Sequence, residues 1–256
     1  MIHSADDLMR FTIGASDGDI GEVQDVYFDD ERWVIRYLVV DTGDWLPGRK
    51  VLISPISVGG TEWVRRRVNV SLTRQQVKES PDIDTDKPVS RQHEAAYFSY
   101  YGYPTYWDGA LLWGATAQPL APPPIAPELR GARAITEKAR EQAVAQTNSH
   151  LRSTREVIGY HIHALDGTVG HIENLLFDED SWQVRYIEVD TRNWWPGKHV
   201  LISPQWIDAM DWANRTARVH VTRAAVKDSP PYDPAVPLPG SYEADLHRHY
   251  GRPFRP

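Results

Sequence analysis

No cysteine occurs among the 256 residues. Disulfides, thiolate metal centres and a cysteine nucleophile are thereby excluded, and a cytoplasmic location is the expectation. Long apolar runs are missing too. The richest stretch, "GALLWGATAQPLAPPPIAP", is interrupted by Gln118 and five prolines, so no segment offers the roughly 20 apolar residues of a spanning helix. "MIHSADDLMRFTIG" has neither a basic leading region nor an unbroken apolar core, and does not read as a secretory signal. Positive charge is also short: Lys plus Arg total 28 against 35 for Asp plus Glu, a net charge of -7. Such a chain repels phosphate backbones and anionic headgroups, which makes nucleic acid an unlikely partner. Against these absences, 41% hydrophobic residues are enough for buried cores.

What is present in abundance is repetition. Laid over Ser153–Pro253 without a gap, Ser4–Pro104 is identical at about 38 of 101 positions. Shared residues include Asp17-Gly18 with Asp166-Gly167, Phe28-Asp29 with Phe177-Asp178, Trp33 with Trp182, and Tyr101-Gly102 with Tyr250-Gly251. The chain therefore divides into a first repeat (1–107), a linker (108–150) and a second repeat (151–256). The linker joins a proline-rich stretch, expected to be extended, to a charged and marginal helix.

Within each repeat the first two thirds read as strands. "DIGEVQDVYFD" alternates loosely, placing Ile20, Val23, Val26 and Phe28 inward after an Asp-Gly turn. "WVIRYLVVD" and "WQVRYIEVD" are rich in β-branched and aromatic residues, and "RKVLIS" and "KHVLIS" follow Pro-Gly turns. Thr73 and Thr222 have the character of helix N-caps, and a last helix from about Ser90 or Ser241 stops at Gly102 or Gly251.

"VVDTGDW" contains the Asp-Thr-Gly of aspartic proteases, and Asp190 repeats the position of Asp41. A protease pair needs two carboxylates sharing a proton, each in a glycine-bearing turn. Arg192 stands where the first repeat has Gly43, so that geometry is not duplicated. The aspartates read as turn residues that accept backbone amide hydrogens.

The runs "GEVQDVYFDDERWVIRYLVVDTGDWLPGRKVLISP" and "GHIENLLFDEDSWQVRYIEVDTRNWWPGKHVLISP", followed by "VSLTRQQVKESPDID" and "EAAYFSYYGYPTYW", resemble PRC-barrel proteins. That family is named for the cytoplasmic barrel of the photosynthetic reaction centre H subunit, and a ribosome-maturation factor carries a related domain. The resemblance implies a mainly β chain with short helices, built as two tandem small PRC-type β-barrels. Its motif residues here are Asp41, Trp45, Pro47 and Gly48, with Asp190, Trp194, Pro196 and Gly197. It implies a non-catalytic protein-binding or assembly module, with no cofactor and no catalytic set to carry over, and a link to reaction-centre-type complexes. The H subunit's membrane helix has no counterpart here. A ribosome- or RNA-associated role is the alternative, against the net charge. Pseudo-two-fold pairing of the two barrels within the chain follows from duplication of a small domain.

Eight of the ten histidines lie at or beyond His150. In "YHIHALDGTVGH", His161 and His163 fall on one strand face, with His171 on the neighbouring strand, so the three could hold Zn²⁺ or Ni²⁺; exposed strand histidines are the plainer reading. "WVRRRVNV" reads as a strand whose Arg65 and Arg67 share a face, better explained by local charge balance than by phosphate. Trp33, Trp45 and Trp63 recur in the second repeat and so are expected to pack. Trp107, Trp113, Trp195 and Trp206 do not recur, and are candidates for the inter-barrel interface or an exposed contact patch.

Overall fold

Two twelve-residue strands, Gly18–Asp29 and Gly167–Asp178, are the longest elements of a computed structural model that describes residues 1–82, 89–122, 150–191 and 198–254. In chain order the strands are β1 (Ile2–Ser4), β2 (Thr12–Ala15), β3 (Gly18–Asp29), β4 (Val34–Asp41), β5 (Lys50–Ile53), β6 (Val58–Glu62) and β7 (Arg67–Val70). The second repeat supplies β8 (Leu151–Ser153), β9 (His161–Ala164), β10 (Gly167–Asp178), β11 (Val184–Asp190), β12 (His199–Ile202), β13 (Ile207–Asp211) and β14 (Thr216–Val219). The described helices are α1 (Arg74–Lys78), α2 (Arg91–Tyr101), α3 (Thr154–Val157), α4 (Arg223–Asp228) and α5 (Gly240–His249). None of them is long and apolar enough to cross a membrane.

The two sheets share one topology. The first runs β5-β4-β3-β2-β7-β6 and the second β12-β11-β10-β9-β14-β13, each seven-stranded once an outer strand is added to the long central one. Antiparallel pairing dominates, with one parallel pair per sheet, β2 with β7 and β9 with β14. Bulges interrupt the long strand at matching places, between Val23 and Asp25 and between Ile172 and Asn174, and give the strand the bend a small barrel-like sheet needs. The inward residues Ile20, Val23, Val26 and Phe28 are all buried.

The outer strands come from the opposite ends of the repeats. β8, which opens the second repeat, pairs with β3 through Tyr27↔Ser153, Phe28↔Arg152 and Asp29↔Leu151. Reciprocally, β1 pairs with β10 through Ile2↔Asp178, His3↔Phe177 and Ser4↔Leu176. One compact unit accordingly comprises Asp7–Ser153 with Asp180–Gln183, and the other Met1–Asp6, Thr154–Glu179 and Val184–Pro256. They are called the first and second units below. Each sheet is completed by residues encoded in the other half of the sequence. Polar contacts hold both exchanged strands: Arg152 reaches Asp30 at 2.9 Å, Ser153 donates to Asp25 at 2.6 Å, and Asn174 donates to Ser4 at 2.6 Å.

The helices begin as their sequences dictate. Thr73 caps α1 in a full capping box with Gln76, Thr222 caps α4, and Ser90 caps α2, which stops at Gly102 with a φ of 68°. In the second repeat the last helix starts one residue before Ser241, at Gly240, with Pro239 as its cap. The arginine run departs from the strand expectation. Trp63–Arg65 forms a 3-10 turn and Arg66 is left-handed at φ 51°, so the period-two alternation does not reach Arg65. Arg65 pairs with Glu62 at 2.8 Å and Arg67 with Asp19 at 2.6 Å, which is local charge balance.

Candidate ligand cluster in the second repeat

Strand β3 approaches β4 unusually closely at Gly21, and β10 approaches β11 in the same way at Gly170. A side chain added at Gly21 would lie 2.0 Å from the Asp41 carbonyl oxygen, and one at Gly170 2.1 Å from that of Asp190, at φ values of 157° and 150°. Only glycine fits there. Each glycine brings the residue after it, Glu22 or His171, into register with the aspartate that ends the neighbouring strand.

That register creates a row across four strands. In the second sheet His161 faces His171, His171 faces Asp190, and Asp190 faces His199. Directly paired residues of an antiparallel sheet project on the same face. One potential ligand atom each of His171, Glu173 and Asp190 lies within 4.8 Å of the other two. His171 Nε2 is 3.5 Å from Glu173 Oε2 and 3.9 Å from Asp190 Oδ2. Beside them, His199 Nδ1 sits 2.7 Å from Glu188 Oε1. Burial raises the Glu188 carboxyl above its ordinary range against the lowering effect of His199, and the charges of Glu173 and Asp190 add to the rise.

The three histidines singled out by sequence thus fare differently. His171 lies in the cluster, His161 stands across from it, and His163 faces Thr168, whose hydroxyl is 3.3 Å from its Nδ1. Glu173, Asp190, Glu188 and His199 were not visible as companions, because they converge only through cross-strand register.

The corresponding row of the first sheet is Thr12, Glu22, Asp41 and Lys50. Asp41 behaves as a turn residue: its Oδ1 accepts the Gly43 amide at 2.8 Å, and its Oδ2 accepts the side-chain amide of Gln24 at 3.1 Å. Gly48 takes the positive φ, 76°, that the Pro47-Gly48 turn requires. Trp45 is half-buried beneath the Arg74 guanidinium, 4.6 Å from its ring centre. The equivalent motif residues Trp194, Pro196 and Gly197, and Trp195 beside them, lie outside the described residues.

A second polar cluster fills the first unit. Glu94 on α2 accepts from Tyr37 at 3.2 Å, Tyr106 at 2.7 Å and Arg91 at 2.9 Å, all in the interior. Burial pushes its carboxyl up to about 7, with Arg91 opposing the shift. The segment after α2 closes over this network. Trp107 packs on Phe98 and lies under Arg91, while Trp113, 2% exposed, donates its indole N–H to Ser181 O at 2.8 Å. Trp206, 4% exposed, packs against His247 and Tyr250 within the second unit. Neither Trp113 nor Trp206 offers an exposed contact patch.

Two copies of one small, bulged, mainly antiparallel sheet, each topped by short capped helices, define a duplicated barrel-type module. Residues 5–76 match the family model of the PRC-barrel domain, and the sheet of the second repeat has the topology of the first strand for strand. This is a family of generally non-catalytic interaction modules. No curated protein matches the chain.

Proposed function

We propose that the chain is a protein-binding or complex-assembly module whose two barrels serve as a non-catalytic scaffold. The observation that carries this reading is the PRC-barrel match over residues 5–76. Shared residues of the repeats support it, since they go to folding chemistry: Asp41 to a turn amide, Thr42 to the Leu46 and Arg49 carbonyls, Thr73 and Thr222 to helix caps. The reading includes intramolecular pairing of the barrels, supported by the exchange of β1 and β8 between the two halves of the chain. Reaction-centre-type complexes are the partner class suggested by family.

Affinity purification of the full chain from its native host, with and without crosslinking, tests this. A defined protein complex that survives high salt is the expected result. Recovery of ribosomes or RNA that salt disperses would favour the nucleic-acid alternative instead. Recovery of nothing above a bait-free control would sink the proposal.

A further inference from the structure

The two repeats provide an internal comparison, because one backbone carries two different sets of side chains at the same row. In the first repeat Gln24 donates an amide hydrogen to Asp41 Oδ2 at 3.1 Å. At the matching positions the second repeat has Glu173 and Asp190, so an acceptor now stands where a donor stood. Lys50 is replaced by His199, Glu22 by His171, Thr12 by His161 and Val39 by Glu188. Over these six positions the lysine and the amide are lost, three imidazoles are gained, and the carboxylates rise from two to three. Three carboxylates and no lysine or arginine occupy these positions, and Asp190 is only 1% exposed.

We propose that His171, Glu173 and Asp190 form a binding site for one divalent transition-metal ion of the Zn²⁺ class, a site the first repeat does not have. Imidazole and carboxylate together are a donor set for borderline divalent ions. Bonds of about 2.0–2.2 Å to such an ion place neighbouring ligand atoms about 3–4 Å apart. The His171–Glu173 and His171–Asp190 separations of 3.5 and 3.9 Å already meet that requirement. Only the remaining pair has to close from within 4.8 Å, and Glu173, whose side chain is 41% exposed, is free to turn. His199, in register with Asp190 on the next strand, is hydrogen-bonded to Glu188 at 2.7 Å. Three protein ligands leave further coordination positions for water or for a group from a partner.

Isothermal titration of the tag-free full chain with ZnCl₂ tests the site, alongside His171→Ala, Glu173→Gln and a control, His220→Ala. His220 is 62% exposed and paired with Asp208 outside the cluster. The expected result is one equivalent bound per chain, an affinity reduced by about 10- to 100-fold or more in both cluster variants, and an unchanged control. Glu173→Gln, at a partly exposed position, keeps the test valid if His171→Ala fails to fold by circular dichroism. Absence of saturable binding in the intact chain overturns the proposal. So does equal affinity in Glu173→Gln, or a loss confined to the control.

Discussion

Arg36 is fully buried, and its Nε donates to Oδ2 of Asp29 at 2.6 Å. Its guanidinium carbon also lies 3.7 Å from the ring centre of Tyr106 and 4.7 Å from that of Trp113. The segment following α2 therefore covers an ion pair that the β3–β4 hairpin alone would leave open.

Removing one partner of such a pair strands a buried charge, which costs more than the pair itself contributes. Asp29→Asn is expected to lower unfolding free energy by about 3–5 kcal/mol in urea titration. At the equivalent position Asp178 is 22% exposed and lies 3.4 Å from the Met1 amine, so Asp178→Asn should cost about 1 kcal/mol or less. Equal losses at both positions would contradict the burial argument.

Glu94 makes the first unit sensitive to pH. Its folded pKa of about 7 stands above the ordinary value of 4.5, so the native state holds the proton more tightly than the unfolded chain does. The contribution is fully present below about 4.5 and declines as pH rises towards 7, by about 3 kcal/mol at most. Glu94→Gln removes this titration. Unfolding free energies of both proteins between pH 5 and 8 should converge or cross in the direction that favours glutamine at high pH. A constant difference across that range would show that Glu94 is ionised throughout.

The tryptophans separate into two energetic classes. Trp33 is buried, stacks on Phe28 at 5.1 Å and holds a φ of 56°, and Trp182 repeats the conformation at 59°. Trp33→Ala should cost about 3–5 kcal/mol from lost packing. Trp45, although part of the family motif, is half-buried and rests under Arg74. Its replacement by alanine should cost about 1–2 kcal/mol, consistent with a surface cation–π contact and partial burial. Thermal denaturation of the two variants side by side checks the order.

Local periodicity and capping chemistry were readable in the sequence, because they depend on neighbours a few residues apart. Ile20, Val23, Val26 and Phe28 point inward, and Thr73, Ser90 and Thr222 cap helices as their types require. The left-handed tryptophans were not, since a bulky side chain opposes that backbone and only the surrounding packing holds it there. Nor was the ligand cluster, whose members come from β10 and β11 and meet through bulges that no pattern of alternation encodes. His163 illustrates the limit: spacing put it beside His161, but register carried His171 towards Glu173 and Asp190 and left His163 against Thr168.

Strand exchange was equally hidden, because "IHS" and "LRS" are too short to carry a pattern, yet it yields the most direct test of the fold. Deleting residues 1–4 removes β1 from the second unit, along with the hydrogen bond from Glu179 N to Met1 O at 2.9 Å. At about 1 kcal/mol per ladder bond the loss should be about 2–4 kcal/mol, falling on the second unit. Hydrogen exchange would then rise along β10 while β3 stays protected. Fragments 1–122 and 150–254 each lack the strand that completes their own long central strand, which leaves an unpaired edge in both. Neither should fold as a stable monomer, and mixing them should restore a one-to-one complex with the circular dichroism of the intact chain. If fragment 1–122 alone folds as a monomer with full protection of Tyr27–Asp29, β8 is dispensable and the reciprocal dependence of the two halves is disproved.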